Sequence, residues 1–389
     1  MKDLKAIVEA YRKVDTTVRK SALATVVKVR GSSYRSPGAR MLITDDGKWV
    51  GSISGGCLEG DALRKARQVM SEKKPVTVTY DTREESNQNL GIGLGCNGVI
   101  DVLLEPIESA VQDNPINLFG GMLEANEPAA LGTVVSGAGC GEKIWIRSGL
   151  VIKDALSDRD LSRRVISDLQ SVFDSHRSET RTYSLEDGDT DVFLELIQPV
   201  LSLILFGGGF DARPVSQLAK SLGWNVSVTD ECVAHIAPIF FPEADNLSLC
   251  KREYVDRDFE IGPYTACVLM SHNYEYDRDV LRKLLGSPAP YIGILGPKKR
   301  FDKMLEEFGL EGIKLSAADF DRIHSPIGLD IGAEAPDEIA VAIVAEVQSK
   351  FAGKRGGFLK HHDGPIHRRE RESDQVFKQV YLSPVKNSG

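Results

Sequence analysis

Apolar residues recur along this chain with two periods, and the switches between them mark its elements. Leu4, Ile7, Val8, Tyr11 and Val14 stand at helical spacing, so the amino terminus predicts a charged amphipathic helix. Leu23 to Val29 and Met41 to Ile43 predict strands, and Leu58, Ala62, Leu63, Ala66, Val69 and Met70 return to the helical period. Val99 to Leu104 is again a strand. Lys143 to Ile152 predicts a β-hairpin, Leu161 to Phe173 a helix and Arg181 to Leu185 a polar strand. From Val200 the character changes. Val200 to Phe206 is nearly unbroken apolar sequence, as expected of a strand covered on both faces of a parallel sheet, and Trp224 to Thr229, Ala266 to Met270 and Tyr291 to Leu295 continue that sheet. Pro336 with Asp337 and Glu338 predicts a helix start, and Ile339, Ala342, Ile343 and Val347 carry the helix to about Lys350.

The pattern also repeats. Ala22-Leu23-Ala24-Thr25-Val26-Val27 is echoed by Ala130-Leu131-Gly132-Thr133-Val134-Val135, and Ile100-Asp101-Val102-Leu103-Leu104-Glu105 by Thr190-Asp191-Val192-Phe193-Leu194-Glu195. Pattern alone can make two α/β units resemble one another. The matching order of hairpin, helix and polar strand between these anchors argues instead for a degenerate duplication, in which the first unit holds a ligand and the second completes the fold. The expected fold class is therefore α/β: a mixed amino-terminal domain built from a degenerate repeat, followed by a Rossmann-like parallel sheet. Residues 1–110 and 111–199 form the two copies, 200–350 the parallel domain and 351–389 a basic tail with His361, His362 and His367. Those histidines could serve a metal; a flexible polar tail is the expectation.

Composition narrows the function. At 389 residues with a net charge of −8, the chain has room for two or three cores and an acidic balance that argues against nucleic acid as its main partner. Six cysteines at irregular spacing, with no Cys-x-x-Cys pair, speak against a zinc site or a disulfide framework and fit a reducing cytoplasm. No apolar run is long enough for a bilayer, and the amino terminus resembles a helix more than a signal peptide.

Candidate chemistry gathers at glycine loops. Ser54-Gly55-Gly56-Cys57 sets a thiol where a loop becomes a helix. A helix start offers unpaired N–H groups and partial positive charge, which suit an anion and favour a thiolate, so Cys57 is either a reactive thiolate or, as most free cysteines are, a small buried apolar residue. Gly31 to Arg40 carries Ser33, Arg35 and Arg40, the hydroxyl and guanidinium groups that a phosphate-bearing ligand requires. Gly91-Ile92-Gly93-Leu94-Gly95-Cys96-Asn97-Gly98 is a second glycine loop with a central cysteine, making Cys96 a second candidate thiolate. Both loops could also be no more than tight connections.

In the carboxyl-terminal half, Gly207-Gly208-Gly209-Phe210-Asp211-Ala212 fits G-x-G-x-x-A between a strand and a helix, and Asp230 closes the next strand about twenty residues on. That is the dinucleotide fingerprint in context: Gly207, Gly209 and Ala212 for the loop, Asp230 for a ribose hydroxyl, NAD or another nucleotide as ligand. Asp211 would repel a pyrophosphate unless it faces away or meets a cation. His272, Lys298 and Arg300 follow the ends of later strands, where they suit an acidic ligand or begin helices in solvent.

Taken together, Gly31-Ser32-Ser33 through Arg40, Ser54-Gly55-Gly56-Cys57-Leu58-Glu59, Gly95-Cys96-Asn97-Gly98, the Gly207 loop, Tyr291 to Gly296 and Pro326 to Gly332 resemble the xanthine dehydrogenase accessory factor family, XdhC/CoxI. The resemblance implies a cytoplasmic, often dimeric maturation factor. Such a factor binds the molybdenum cofactor (molybdopterin), presents it for sulfuration by a cysteine desulfurase and passes it to a molybdenum hydroxylase, without nucleic acid or membrane. On that reading Arg35, Arg40 and the Cys57 helix start meet phosphate or molybdate, and Cys57 or Cys96 touches molybdenum or relays sulfur. The competing expectation is an NAD-dependent oxidoreductase. It lacks any Tyr-x-x-x-Lys pair, which leaves His272 as its one evident acid.

Overall fold

A computed structural model describes residues 1–31, 33–82 and 98–361, and the chain divides into two compact units between Pro199 and Val200.

The first unit contains one set of elements twice. Helix α1 (Lys2–Arg12) precedes β1 (Ser21–Gly31), β2 (Arg40–Thr44), β3 (Trp49–Gly51), α2 (Glu59–Glu72), β4 (Val76–Asp81) and β5 (Gly98–Ile107). Helix α3 (Pro115–Ala125) then precedes β6 (Ala129–Val134), β7 (Lys143–Arg147), β8 (Leu150–Asp154), α4 (Arg159–Ser175), β9 (Glu179–Leu185) and β10 (Gly188–Ile197). The strands form two antiparallel sheets of identical order, β3-β2-β1-β5-β4 and β8-β7-β6-β10-β9. The repeat thus extends to the leading helices, which the strand echoes alone did not reveal.

Alternation along the strands sends side chains to two different cores. Ala22, Ala24 and Val26 of β1 pack with Ala62, Ala66 and Val69 of α2, as Ala130 and Val134 pack with Val165 and Leu169 of α4. Leu23 and Leu131 face the other way, into a core shared by α1, α3 and both sheets. In a separate small cluster Val27, Leu103, Val135 and Phe193 meet, two equivalent positions from each copy.

Polar contacts across this seam are reciprocal. Arg40 of β2 pairs with Glu195 of β10, and Lys143 of β7 pairs with Glu105 of β5, all four side chains nearly or fully buried. Thr77 donates its hydroxyl to the Val135 carbonyl at 2.5 Å, and Thr180 to the Val27 carbonyl at 2.6 Å. Gly38 sits at φ +91°, where a Cβ would stand 2.7 Å from a Glu195 oxygen; its counterpart Gly141, at φ +92°, would meet Pro75 at 2.7 Å.

The second unit is a doubly wound parallel sheet. Its elements are β11 (Ser202–Phe206), α5 (Ala212–Ser221), β12 (Asn225–Asp230), β13 (Asn246–Leu249), α6 (Val255–Asp258), β14 (Thr265–Leu269), α7 (Tyr274–Leu285), β15 (Tyr291–Ile294), α8 (Lys298–Leu310), α9 (Ala317–Arg322), β16 (Ile323–His324) and α10 (Pro336–Phe351). Strand order β13-β12-β11-β14-β15-β16 is the Rossmann order, with the switch point between β11 and β14. One core packs α5 and α10 on the sheet, the other α7 and α8, which is why the strands are apolar on both faces. Helix α10 starts at Pro336 as expected, with Glu338 accepting from the Ala335 N–H at 3.0 Å.

Candidate functional site

The antiparallel order of the first sheet fixes where its loops emerge. Strands β1, β3 and β4 end, and β2 and β5 begin, at one and the same edge, so connections 32–39, 52–58 and 82–97 all leave from it. Gly31 pairs with Gly98 there, the Ser52 N–H donates to the Arg40 carbonyl at 3.0 Å, and the Thr82 hydroxyl donates to the Gly98 carbonyl at 2.6 Å. Gly95 and Cys96, along with Ser32, lie outside the described residues, as do His362 and His367.

Loop 52–58 is tied by a carboxylate. Glu59, buried in the first turn of α2, accepts from the Ser52 hydroxyl at 2.8 Å and the Ser54 N–H at 2.9 Å, and also from the Ser54 hydroxyl. Ser54 in turn accepts from the Gly56 and Leu58 N–H groups, each at 3.1 Å, and from the Cys57 thiol at 3.6 Å. Burial alone would raise the Glu59 carboxyl; the hydrogen bonds from Ser54 and Ser52 outweigh it and hold the group below the ordinary glutamate range. The expectation of open N–H groups at this helix start is thereby corrected for Gly56 and Leu58, whose N–H groups meet the chain's own oxygens. Cys57 stays half-buried at the rim, with Ala39 and Val29 nearby in the same apolar cluster.

The neighbouring loop brings an aromatic ring. Tyr34 is 68% exposed and lies so close over Gly55 that a Cβ there would come within 3.1 Å of it. Ser33 accepts from the Arg35 N–H at 3.3 Å, and the Arg35 guanidinium, itself partly exposed, lies 3.5 Å from Asp3. Arg40 requires a correction. Its guanidinium is 6% exposed, bound to both oxygens of Glu195 and to the Gly38 carbonyl at 3.0 Å, and lies 4.2 Å from the Phe119 ring. It joins the two sheets and is not turned to a ligand. Beside it a cleft of about 400 Å³ is lined by Asp3, Pro37, Gly38, Arg40, His176 and Glu195.

In the second unit Gly207 and Gly209 meet the loop after β14, which carries His272, at the switch point. Gly207 approaches the next loop so closely that a Cβ would lie 2.4 Å from the Ser271 Cα, and Gly209 faces His272. Ala212 is fully buried under the sheet. His272, at φ +60°, puts Nε2 3.3 Å from Asp211, so the acid in the loop meets an imidazole. Arg300 is anchored inward by the buried Asp277 at 2.7 Å, whose other oxygen holds the Ser271 hydroxyl at 2.6 Å. Lys298 is exposed at the start of α8. Asp230 is also corrected: its carboxylate, only 7% exposed, accepts from the chain itself and is not a free ribose acceptor.

Residues 203–347 match the XdhC Rossmann domain, and residues 17–81 match the XdhC and CoxI family. A Bacillus subtilis protein named as a probable xanthine dehydrogenase subunit is 32% identical over 84% of this chain and 92% of its own length. The chain belongs to the XdhC/CoxI family. An Escherichia coli relative named "Molybdenum cofactor insertion chaperone PaoD" is 23% identical, over 85% of this chain and 83% of that protein. A crystal structure described as a xanthine dehydrogenase from Bacillus halodurans superposes with a TM-score of 0.74 at 30% identity, covering 94% of this chain and 99% of that one.

Some site features of this XdhC/CoxI chain escape a reading of sequence. Tyr34 and Glu59 stand inside the quoted motifs without an evident part, because a ring over a glycine and a carboxylate under a loop are contacts, not patterns. Glu105 and Glu195 are more accessible. Each ends the same repeated strand motif, and a cation opens the matching strand of the other copy. Cys140, in the connection between β6 and β7, packs against the cluster of Val27, Leu103, Val135 and Phe193, where burial pushes its thiol up. Among the described residues no three His, Cys, Asp or Glu side chains are grouped to hold a metal ion, and no helix is long and apolar enough to cross a membrane.

Proposed function

We propose that the loop-bearing edge of the first sheet holds the molybdenum cofactor as cargo and that the protein delivers it to a molybdenum hydroxylase of the xanthine dehydrogenase type. The observation that carries this reading is an asymmetry: Cys57, Tyr34 and Arg35 sit in loops at one sheet edge and have no counterparts in the second copy. The donor set suits the cargo, which offers a phosphate, a flat pterin and a soft-ligand metal centre. Arg35 is the guanidinium for the anion, Tyr34 the exposed ring for the heterocycle and Cys57 the soft thiol, all on loops that leave the same sheet edge. The names of the PaoD and xanthine dehydrogenase relatives point the same way.

On this reading the protein is a carrier and not a catalyst. Glu59 and Ser54 hold the loop in one conformation, so binding needs little reordering, and Cys57 remains at the rim where sulfur could be delivered by a cysteine desulfurase. Free thiols at all five cysteines among the described residues are in keeping with a reducing cytoplasm. A homodimer is part of the proposal. Its test is gel filtration of purified protein after incubation with the cofactor, followed by reconstitution of a cofactor-free hydroxylase. Pterin fluorescence and molybdenum co-eluting with the protein, and activity restored by the loaded fraction, support the reading; cofactor eluting free refutes it.

A further inference from the structure

We infer that the parallel sheet of the second unit does not take an adenine dinucleotide in the mode its glycine loop announces, because the chain's own Asp230 and His235 fill that role. In that mode the loop N–H groups and the following helix start face a pyrophosphate, and the strand-end acid binds a ribose hydroxyl. Here the Gly208 N–H donates to Asp230 at 2.9 Å. The same carboxylate receives His235 Nδ1 at 3.0 Å and the Cys232 N–H at 2.8 Å. A carboxylate has about four lone-pair positions, and three are taken by the protein.

Space agrees with hydrogen bonding. The short turn Val233–Ile236 lies against the loop, so that a Cβ at Gly208 would stand 2.6 Å from the His235 carbonyl oxygen. Glycine is needed at that position to admit the turn, where in the dinucleotide mode it would admit the pyrophosphate. The helix start is engaged as well: Asp211 at the cap of α5 makes no capping hydrogen bond and lies 3.3 Å from His272 Nε2, so its charge too is met by the chain itself. Loop, strand end and turn therefore form a clasp that fixes the segment after β12 onto the end of β11. This inference stands apart from the cofactor proposal for the first unit, and either could fail alone.

The test uses the full chain, with NADH and NAD⁺ as probes. Titration followed by nucleotide fluorescence and by calorimetry should show no saturable binding up to about 1 mM. Asp230→Asn, which keeps the shape but removes the charge, should lower the thermal midpoint by about 2–4 °C, and His235→Ala should lower it in the same direction. Saturable binding of either nucleotide by the unaltered protein overturns the inference. So does an Asp230→Asn variant with an unchanged midpoint, since a clasp whose charge is removed must loosen.

Discussion

The two copies in the first unit share seven elements, one sheet order and one set of seam contacts, and differ in what lies between the strands at one edge. Strand β3 reaches α2 through residues 52–58, whereas β8 reaches α4 through 155–158; β4 and β5 are joined by 82–97, whereas β9 turns into β10 through 186–187. The helix starts differ in kind. Asp158 caps α4 in the ordinary way, accepting from the N–H groups of Asp160 and Leu161 at 2.8 and 2.9 Å, while α2 begins under the Ser54–Glu59 knot with Cys57 at its rim. The difference separates scaffold from site. A residue with a counterpart making the same contact, such as Arg40 or Thr77, belongs to the shared frame; a residue without one, such as Cys57, Tyr34 or Arg35, is a candidate for function.

That rule can be broken most forcefully at the seam. Glu195→Ala leaves Arg40 buried without its partner and should cost about 3–5 kcal/mol in denaturant unfolding, and Glu105→Ala should cost a similar amount by stranding Lys143. A large loss at one and none at the other would end the claim of equivalence. The joint change Arg40→Met with Glu195→Leu should recover most of the loss, because replacing a buried pair whole is far cheaper than halving it.

Loop 52–58 sharpens the contrast. Glu59→Gln should cost about 1–3 kcal/mol, as charge-assisted hydrogen bonds from Ser52 and Ser54 weaken. Because the folded carboxyl lies below its unfolded value, the stabilisation it brings is complete above the unfolded range near 4.3 and is lost as pH falls through the folded value. The variant should therefore show a shallower acid limb in stability against pH, and an unchanged limb would contradict the assignment. Smaller still are Thr77→Val and Thr180→Val, about 1 kcal/mol each and equal within error.

The fold is more legible in the sequence than the site, for physical reasons visible in particular residues. Buried strands and helices advertise themselves by period, so β11, α10 and the repeated β1 and β6 can be placed from apolar spacing, and the glycine loop after β11 from its context. Arg40 misleads because a guanidinium beside a glycine loop has the same sequence signature whether it faces an anion or a buried glutamate more than a hundred residues away; only the seam distinguishes them. Asp230 misleads similarly: the fingerprint specifies an acid at the strand end but not which hydrogen bonds occupy it. Glu59 illustrates the converse, a charged residue in a helix's first turn that looks like ordinary dipole compensation and is in fact the knot of the loop.

The most direct test of the central claim is molybdenum and pterin retained per chain after gel filtration, compared for the unaltered protein, Cys57→Ser and Cys140→Ser. Both substitutions should leave stability within about 1 kcal/mol. The account predicts that Cys57→Ser sheds most of the bound cofactor while Cys140→Ser keeps it. Equal retention in all three, or loss confined to Cys140→Ser, would contradict it.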